Sequence, residues 1–250
     1  MSDKMEVYYF SPTGGTKKVS GIFVDAMEKE VIWHDLGSKK PMMEKPEGEM
    51  IVIAAPVFGG RIPSVVREKI EKLSGTGKKA VTIAVYGNRA YEDALLEMND
   101  ILMKCGFTVI ASGAFVAQHS MAPEVGAGRP DGEDEKEIHK FAESVKNSTA
   151  TENVHVPGNR PYKPELNMPV TPISLSSCTK CGKCVTICPT NAISVADGAV
   201  ITDTEKCILC MACTHVCTEQ ARIRPLPLQQ KTEQMLGALK GVRNKNEMFL

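Results

Sequence analysis

Apolar residues in the first 147 positions alternate between two rhythms. KMEVYYF (4–10) and EVIWHD (30–35) read as strands, while MIVIAA (50–55) and AVTIAVY (80–86) are near-continuous apolar runs suited to strands buried on both faces. TVIASGAFVAQ (108–118) is a fifth strand. Between them, residues 16–30, 63–73, 91–105 and 132–146 carry apolar positions at helical spacing, with Val65, Val66, Ile70 and Leu73 as one clear stripe. Five strands alternating with helices predict an α/β fold: a five-stranded, doubly wound parallel sheet with right-handed crossovers.

The rhythm then breaks. Pro157, Pro161, Pro164, Pro169 and Pro172 exclude helix and central strand and predict an extended, semi-rigid connector. A short cysteine-rich region follows. Beyond it, Met235, Leu236, Leu239 and Val242 form one apolar stripe of a helical tail, suited to packing on a domain. The expected organisation is a first domain at 1–148, a connector at 149–172, a smaller α+β domain at 173–226 and a tail at 227–250.

Composition changes little. Hydrophobic residues make up 42%, charged residues 24%, and the formal net charge is zero, so neither nucleic acid nor an anionic membrane is an expected partner. MSDKMEVYYF lacks an apolar signal segment, and no apolar run approaches the roughly 18 residues of a membrane span. A cytoplasmic location is expected, where clustered cysteines read first as metal ligands rather than disulfides.

The cysteines carry the sharpest signal. CTKCGKCVTICP (178–189) and CILCMACTHVCT (207–218) share the spacing Cys-x2-Cys-x2-Cys-x3-Cys. Three closely spaced thiolates wrap one cube-shaped cluster, and the fourth reaches across to the other. Cys178, Cys181, Cys184 and Cys217 are therefore expected to hold one 4Fe–4S cluster, and Cys207, Cys210, Cys213 and Cys188 a second. Zinc would use four ligands and leave the third cysteine of each triplet unexplained. The region resembles the bacterial two-cluster ferredoxins over about 172–225, departing only at Thr218, where a proline often stands. His215 reads as a surface neighbour of the clusters, and Cys105 as a small buried hydrophobe.

FSPTGGT (10–16) joins the first strand to the first helix. It is neither a Walker loop nor a GxGxxG fingerprint, and Ser or Thr there could simply cap the helix. The hydroxyls of Ser11, Thr13 and Thr16, with the amides of Gly14 and Gly15, could equally wrap a phosphate at the positive end of the helix. The loop resembles the phosphate loop of flavodoxins, a likeness that extends over about 1–147 and implies FMN.

Two further loops, APVFGGRIP (55–63) and YGNRAY (86–91), lie where strand ends should meet such a ligand. Their candidate contacts are Pro56, Phe58, Gly59, Gly60, Arg61, Tyr86, Gly87, Asn88, Arg89 and Tyr91. Phe58 or either tyrosine could stack on the ring, or be an aromatic with no ligand; Trp33 is expected in the core. The flavodoxin resemblance implies a peptide flip at Phe58–Gly59 or Gly59–Gly60 when the first electron arrives. Arg61 and Arg89, if they faced the ring, would favour its reduced form by roughly 2–3 kcal/mol, on the order of 100 mV. His119, heading a long loop at 119–131, could reach the flavin edge or a substrate, or serve structure alone.

Over nearly its whole length the chain resembles the flavodoxin–ferredoxin fusion proteins of anaerobic microbes. The resemblance implies an electron carrier passing single electrons between two 4Fe–4S clusters and FMN, exchanging them with redox protein partners or a small-molecule acceptor. The alternatives are a ferredoxin-fed reductase of a small organic acceptor, with Arg61, Arg89 and His119 lining its pocket, and a flavin-free scaffold bearing a ferredoxin module. No catalytic residue is assigned.

Overall fold

The computed structural model describes residues 4–166 and 168–250; residues 1–3 of the N-terminal segment lie outside them. The first region runs β1 (Lys4–Tyr9), α1 (Gly15–Met27), β2 (Glu30–Asp35), β3 (Met50–Pro56), α2 (Ser64–Ile70), β4 (Lys79–Tyr86), α3 (Ala94–Lys104), β5 (Thr108–Val116) and α4 (Gly132–Lys146). These five strands pair in parallel in the order β2-β1-β3-β4-β5. That is the flavodoxin-like order, whose switch point lies between β1 and β3.

The two apolar runs become central strands because helices cover both faces of the sheet. On one side Ile51, Ile53, Ala80 and Ala84 meet α2 and α3 through Val66, Ile70, Leu95 and Met98. On the other, Val52, Val81 and Ile83 meet α1 and α4 through Val19, Phe23, Ile138 and Phe141. Glu6, the charged exception on β1, is buried but accepts from Tyr8 Oη, the Glu47 and Gly48 amides and His34. Each lone pair has a partner, so the charge is tolerated. Trp33 is less enclosed than expected: it is half-buried on the edge strand β2, its ring edge-on to Tyr9 at 5.4 Å. Cys105 is likewise half-buried at the end of α3.

The second region contains β6 (Ile173–Ser174), α5 (Lys183–Ile187), β7 (Ile193–Ala196), β8 (Ala199–Thr202), α6 (Ala212–His215) and β9 (Arg222–Ile223). It forms two small antiparallel pairs, β6 with β9 and β7 with β8. Its compactness comes from the two cysteine loops rather than from a sheet.

The tail differs from the expected single helix. α7 (Leu226–Leu236) begins after Pro225 with Pro227 in its first turn, a short 3-10 turn follows, and β10 (Glu247–Phe249) then pairs antiparallel with β5. The chain thus returns to cover the outer edge of the first sheet, whose free amides and carbonyls would otherwise stay unpaired. The helical stripe could not foretell this because edge pairing is made through backbone.

The proline-rich connector is extended, as its composition requires, and is strapped along the first region. Asp93 accepts the amides of Asn159 and Lys163 at 2.8 and 2.6 Å. Asp100 pairs with Arg160 at 2.6 Å, and Arg67 with Glu165 at 2.6 Å. Among the described residues, no helix is long and apolar enough to cross a membrane.

Candidate functional site

The loop after β1 opens directly into α1. Gly14 takes a left-handed φ of 91°, a conformation that glycine adopts without strain. No side chain caps the helix; Ser11 Oγ instead reaches the Lys17 amide at 2.9 Å. The hydroxyl thus satisfies one first-turn amide and the Ser11 carbonyl takes the Gly14 amide at 3.4 Å, which leaves the Gly15 and Thr16 amides for an external acceptor. This fits a phosphate better than a simple cap.

A cavity of about 870 Å³ lies beyond this loop, at the C-terminal ends of β1, β3, β4 and β5. Its size suits a cofactor. Of the residues singled out from sequence, Ser11, Thr13, Gly15, Thr16, Pro56, Phe58, Gly59, Arg61, Tyr86, Gly87, Arg89 and His119 all line it. Gly14 and Gly60 lie in the same loops but off the wall.

Asn88 and Tyr91 turn elsewhere. Asn88 is fully buried and binds the tail through Val242 and Asn244; Tyr91 Oη donates to Glu247 at 2.7 Å. Tyr86 reaches the wall, yet its hydroxyl donates to the Lys245 carbonyl. The tail therefore holds the loop that the sequence offered as a ligand contact.

The arginines reach the cavity, but paired. Arg61 makes a two-pronged pair with Glu97 at 2.8 and 2.6 Å and lies 4.7 Å over the Tyr162 ring. Arg89 is paired with Glu92 at 2.7 Å. Both line the cavity, but each charge is answered by a carboxylate, which removes most of the expected bias toward a reduced ligand.

Gly59 and Gly60, at φ 62° and 93°, form a tight turn closed by Phe58 and Arg61 through reciprocal backbone bonds. The Phe58 carbonyl is engaged by the Arg61 amide and the Gly60 carbonyl by the Asp93 amide. The peptide at Gly59–Gly60 is the freer of the two expected to turn.

His119 Nδ1 accepts the Met121 amide at 3.1 Å, which places the ring proton on Nε2. Burial, reinforced by the Arg224 and Arg89 charges, pushes its pKa down to about 4. At neutral pH it is an uncharged donor facing the cavity. Its ring packs so closely on Gly87 that a Cβ there would stand 2.3 Å from it.

The cavity's other walls escaped the sequence reading. Leu166, Met168 and Pro169 of the connector, Cys207, Ile208 and Leu209, and Thr232, Met235 and Leu236 of the α7 segment close it. One signal was present. The first cysteine loop reads CTKCGKC and the second CILCMAC. Apolar residues replace polar ones where the second loop packs on the sheet domain, with Cys210 and Ala212 joining its core.

The cysteines gather in two quartets. One small cavity is lined by Cys178, Cys181, Cys184 and Cys217, and another by Cys188, Cys207, Cys210 and Cys213. The two motifs share one backbone course. Left-handed residues recur at matching places, Lys180 with Leu209, Gly182 with Met211, and Asn191 with Gln220. Each loop so turned points its thiols inward. Burial pushes the Cys210 thiol up to about 12, so a thiolate there needs a compensating cationic core. The set fits soft thiolate-bound iron–sulfur clusters. His215 is exposed and outside both quartets.

Family models described as 4Fe-4S binding domains match residues 171–194 and 204–220. The chain is 45% identical over 58 residues to the polyferredoxin-like subunit of an aliphatic sulfonate oxidoreductase from Pyrococcus furiosus, covering 22% of this chain and 30% of that one. It is 36% identical over 67 residues to an uncharacterized ferredoxin-like protein of Haemophilus influenzae, covering 24% and 78%. Among solved structures, flavodoxin 1 of Bacillus cereus matches at 18% identity over 58% of this chain and 99% of its own, with a TM-score of 0.45. The flavodoxin of Fusobacterium nucleatum matches at 13% identity over 57% and 96%, also at 0.45. The strand order itself carries the fold assignment. The chain therefore belongs to the ferredoxin-like 4Fe–4S proteins through its C-terminal region, which is fused behind a flavodoxin-like sheet.

Proposed function

We propose that this chain is an electron-transfer iron–sulfur flavoprotein that exchanges electrons between two 4Fe–4S clusters and FMN. Residues 1–148 would form the flavin unit, 149–172 its connector, 173–226 the two-cluster unit and 227–250 the closing tail. One observation carries the reading: Cys207 lines both the large cavity and the second cysteine quartet. The phosphate loop and a cluster ligand thus face one space.

When bound, the clusters would supply one-electron chemistry and FMN one- or two-electron chemistry. The chain's residues do the rest. Ser11, Thr13, Gly15 and Thr16 would hold the phosphate, while Pro56, Phe58, Tyr86 and Gly87 would border the ring. His119 would present its Nε2 proton, and Leu166, Met168 and Leu209 would exclude water. Cys188, Cys207, Cys210 and Cys213 would hold the nearer cluster.

A second reading, reduction of a small organic acceptor, is favoured by Leu166 and Met168 of the connector and Thr232 and Leu236 of the tail, which wall the cavity beside the expected ring position. Anaerobic purification with iron and flavin analysis tests the first reading. About one FMN and about eight irons per chain are expected. Iron without FMN, even after FMN is added, would defeat it. Rapid turnover with a small acceptor would move the assignment to the reductase.

A further inference from the structure

The two cysteine motifs repeat with the same backbone, but not with the same charge. After the fourth cysteine the first motif reads Cys188-Pro-Thr-Asn-Ala-Ile193, and the second Cys217-Thr-Glu-Gln-Ala-Arg222. Ala192 and Ala221 correspond and are both buried, at 3% and 1% exposure. The next residue in one motif is Ile193, lining the Cys207 quartet's cavity; in the other it is Arg222, lining the Cys178 quartet's cavity.

Arg222 is 4% exposed. Its Nη1 donates to Ser174 Oγ at 3.1 Å and its Nη2 to Thr202 Oγ1, both neutral oxygens. Among the described residues no carboxylate forms an ion pair with it. Its Nε is also the one fully buried side-chain nitrogen or oxygen there without a hydrogen-bond partner. A guanidinium is always charged in a protein. A buried, unpaired cation with an orphan donor is costly unless an anion stands beside it. A 4Fe–4S core held by four thiolates is such an anion, and more so when reduced.

Arg222 lines the first quartet's cavity and not the second's, so its charge acts more strongly on the first quartet. Ile193 offers the second quartet neither charge nor donor.

Resting on the two-cluster reading, we propose that Arg222 makes the clusters unequal, so that a single electron resides on the one held by Cys178, Cys181, Cys184 and Cys217. Charge and hydrogen bonds near the sulfurs set cluster potentials, and a positive charge favours the state with the extra electron. None of that quartet lines the flavin cavity, and Cys181 is exposed. The pair thus has a storage end facing outward and a relay end facing the flavin. The step is one electron taken from the reductant, with no bond made or broken.

The test is a dithionite titration of the anaerobic full chain, followed by electron paramagnetic resonance, on the unmodified protein and on Arg222→Gln and Arg222→Lys. The unmodified protein should reduce its clusters in two separate steps. Arg222→Gln should lower the upper step by at least tenfold in equilibrium constant, about 59 mV for one electron, and leave the lower step in place. Arg222→Lys should restore most of it, which a purely structural bridge between Ser174 and Thr202 would not. Coincident steps in the unmodified protein, with eight irons present, overturn the proposal without needing a folded variant. Movement of the lower step instead of the upper overturns it too. Fewer than eight irons in the unmodified protein would instead defeat the two-cluster reading beneath it.

Discussion

Asn88 and Asn244 bind each other twice: Asn88 Oδ1 accepts the Asn244 amide at 3.0 Å, and the Asn88 carbonyl accepts Asn244 Nδ2 at 2.6 Å. Asn88 also donates to the Val242 carbonyl at 2.7 Å from a fully buried position. This clasp joins the C-terminal tail to the loop beside the cavity. Asn88→Ala should cost about 2–4 kcal/mol, because several buried groups lose their partners at once. Urea unfolding measures the cost, and limited proteolysis should release the C-terminal segment early. An unchanged midpoint would mean that the tail is not anchored there.

Glu97 is the shared counter-charge of Arg61 and Arg67, at 2.6 and 3.3 Å, and its side chain is 1% exposed. Removing it strands Arg61, while Arg67 keeps its pair with Glu165. Glu97→Gln should lose about 3–5 kcal/mol and free the Arg61 charge beside the cavity. Bound flavin should then become easier to reduce, as read by potentiometric titration. No shift in the flavin couple would argue that Arg61 lies too far from the ring to matter.

The crossed quartets predict equal iron loss but different electron exchange for two similar substitutions. On the proposed reading, Cys188→Ala should remove the cluster beside the large cavity, halving the iron and slowing electron exchange with FMN. Cys217→Ala should also halve the iron but spare that exchange. Iron analysis with stopped-flow absorbance compares them. Equal slowing in both would contradict the relay position of the Cys207 quartet.

His119 makes stability depend on acid. Its folded pKa of about 4 lies below the ordinary value of 6.5 because burial and two nearby arginine charges disfavour its cation. Between those values the unfolded chain binds more protons, so stability should fall as pH drops from about 6.5 toward 4. The loss should be on the order of 2–3 kcal/mol at the acid end. His119→Gln should flatten that part of the profile, leaving the decline due to carboxylates such as Asp93 and Asp134. Parallel profiles for the two proteins would refute the assignment.

Much of the architecture was legible because it is written in local patterns. The apolar runs at 50–55 and 80–86 became β3 and β4, and residues 132–146 became α4. There Asp131 accepts the Glu133 and Asp134 amides while Asp134 returns a bond to the Asp131 amide. The cysteine spacing carried the crossed quartets, since the reach of a short loop leaves few other arrangements. The ring loops were harder. Arg61 and Asn88 occupy the expected loops, but Glu97 on α3 and Asn244 in the tail engage them from 36 and 156 residues away.

By itself, the sequence determined the α/β class, the glycine-rich turn after β1, the extended connector and the two repeated cysteine motifs. Each depends on periodicity, proline geometry or ligand spacing within a few tens of residues. Tertiary structure decided which charges are free, which aromatics face the cavity and where the chain's end lies. It paired Arg61 and Arg89 with carboxylates, drew Tyr91 to Glu247 and laid β10 along β5. It also set Arg222 and Ile193, alike in register, beside different cysteine quartets. Those outcomes depend on burial and on partners distant in sequence: an arginine's sequence position does not reveal its counter-charge, and a strand's edge does not reveal what will cover it.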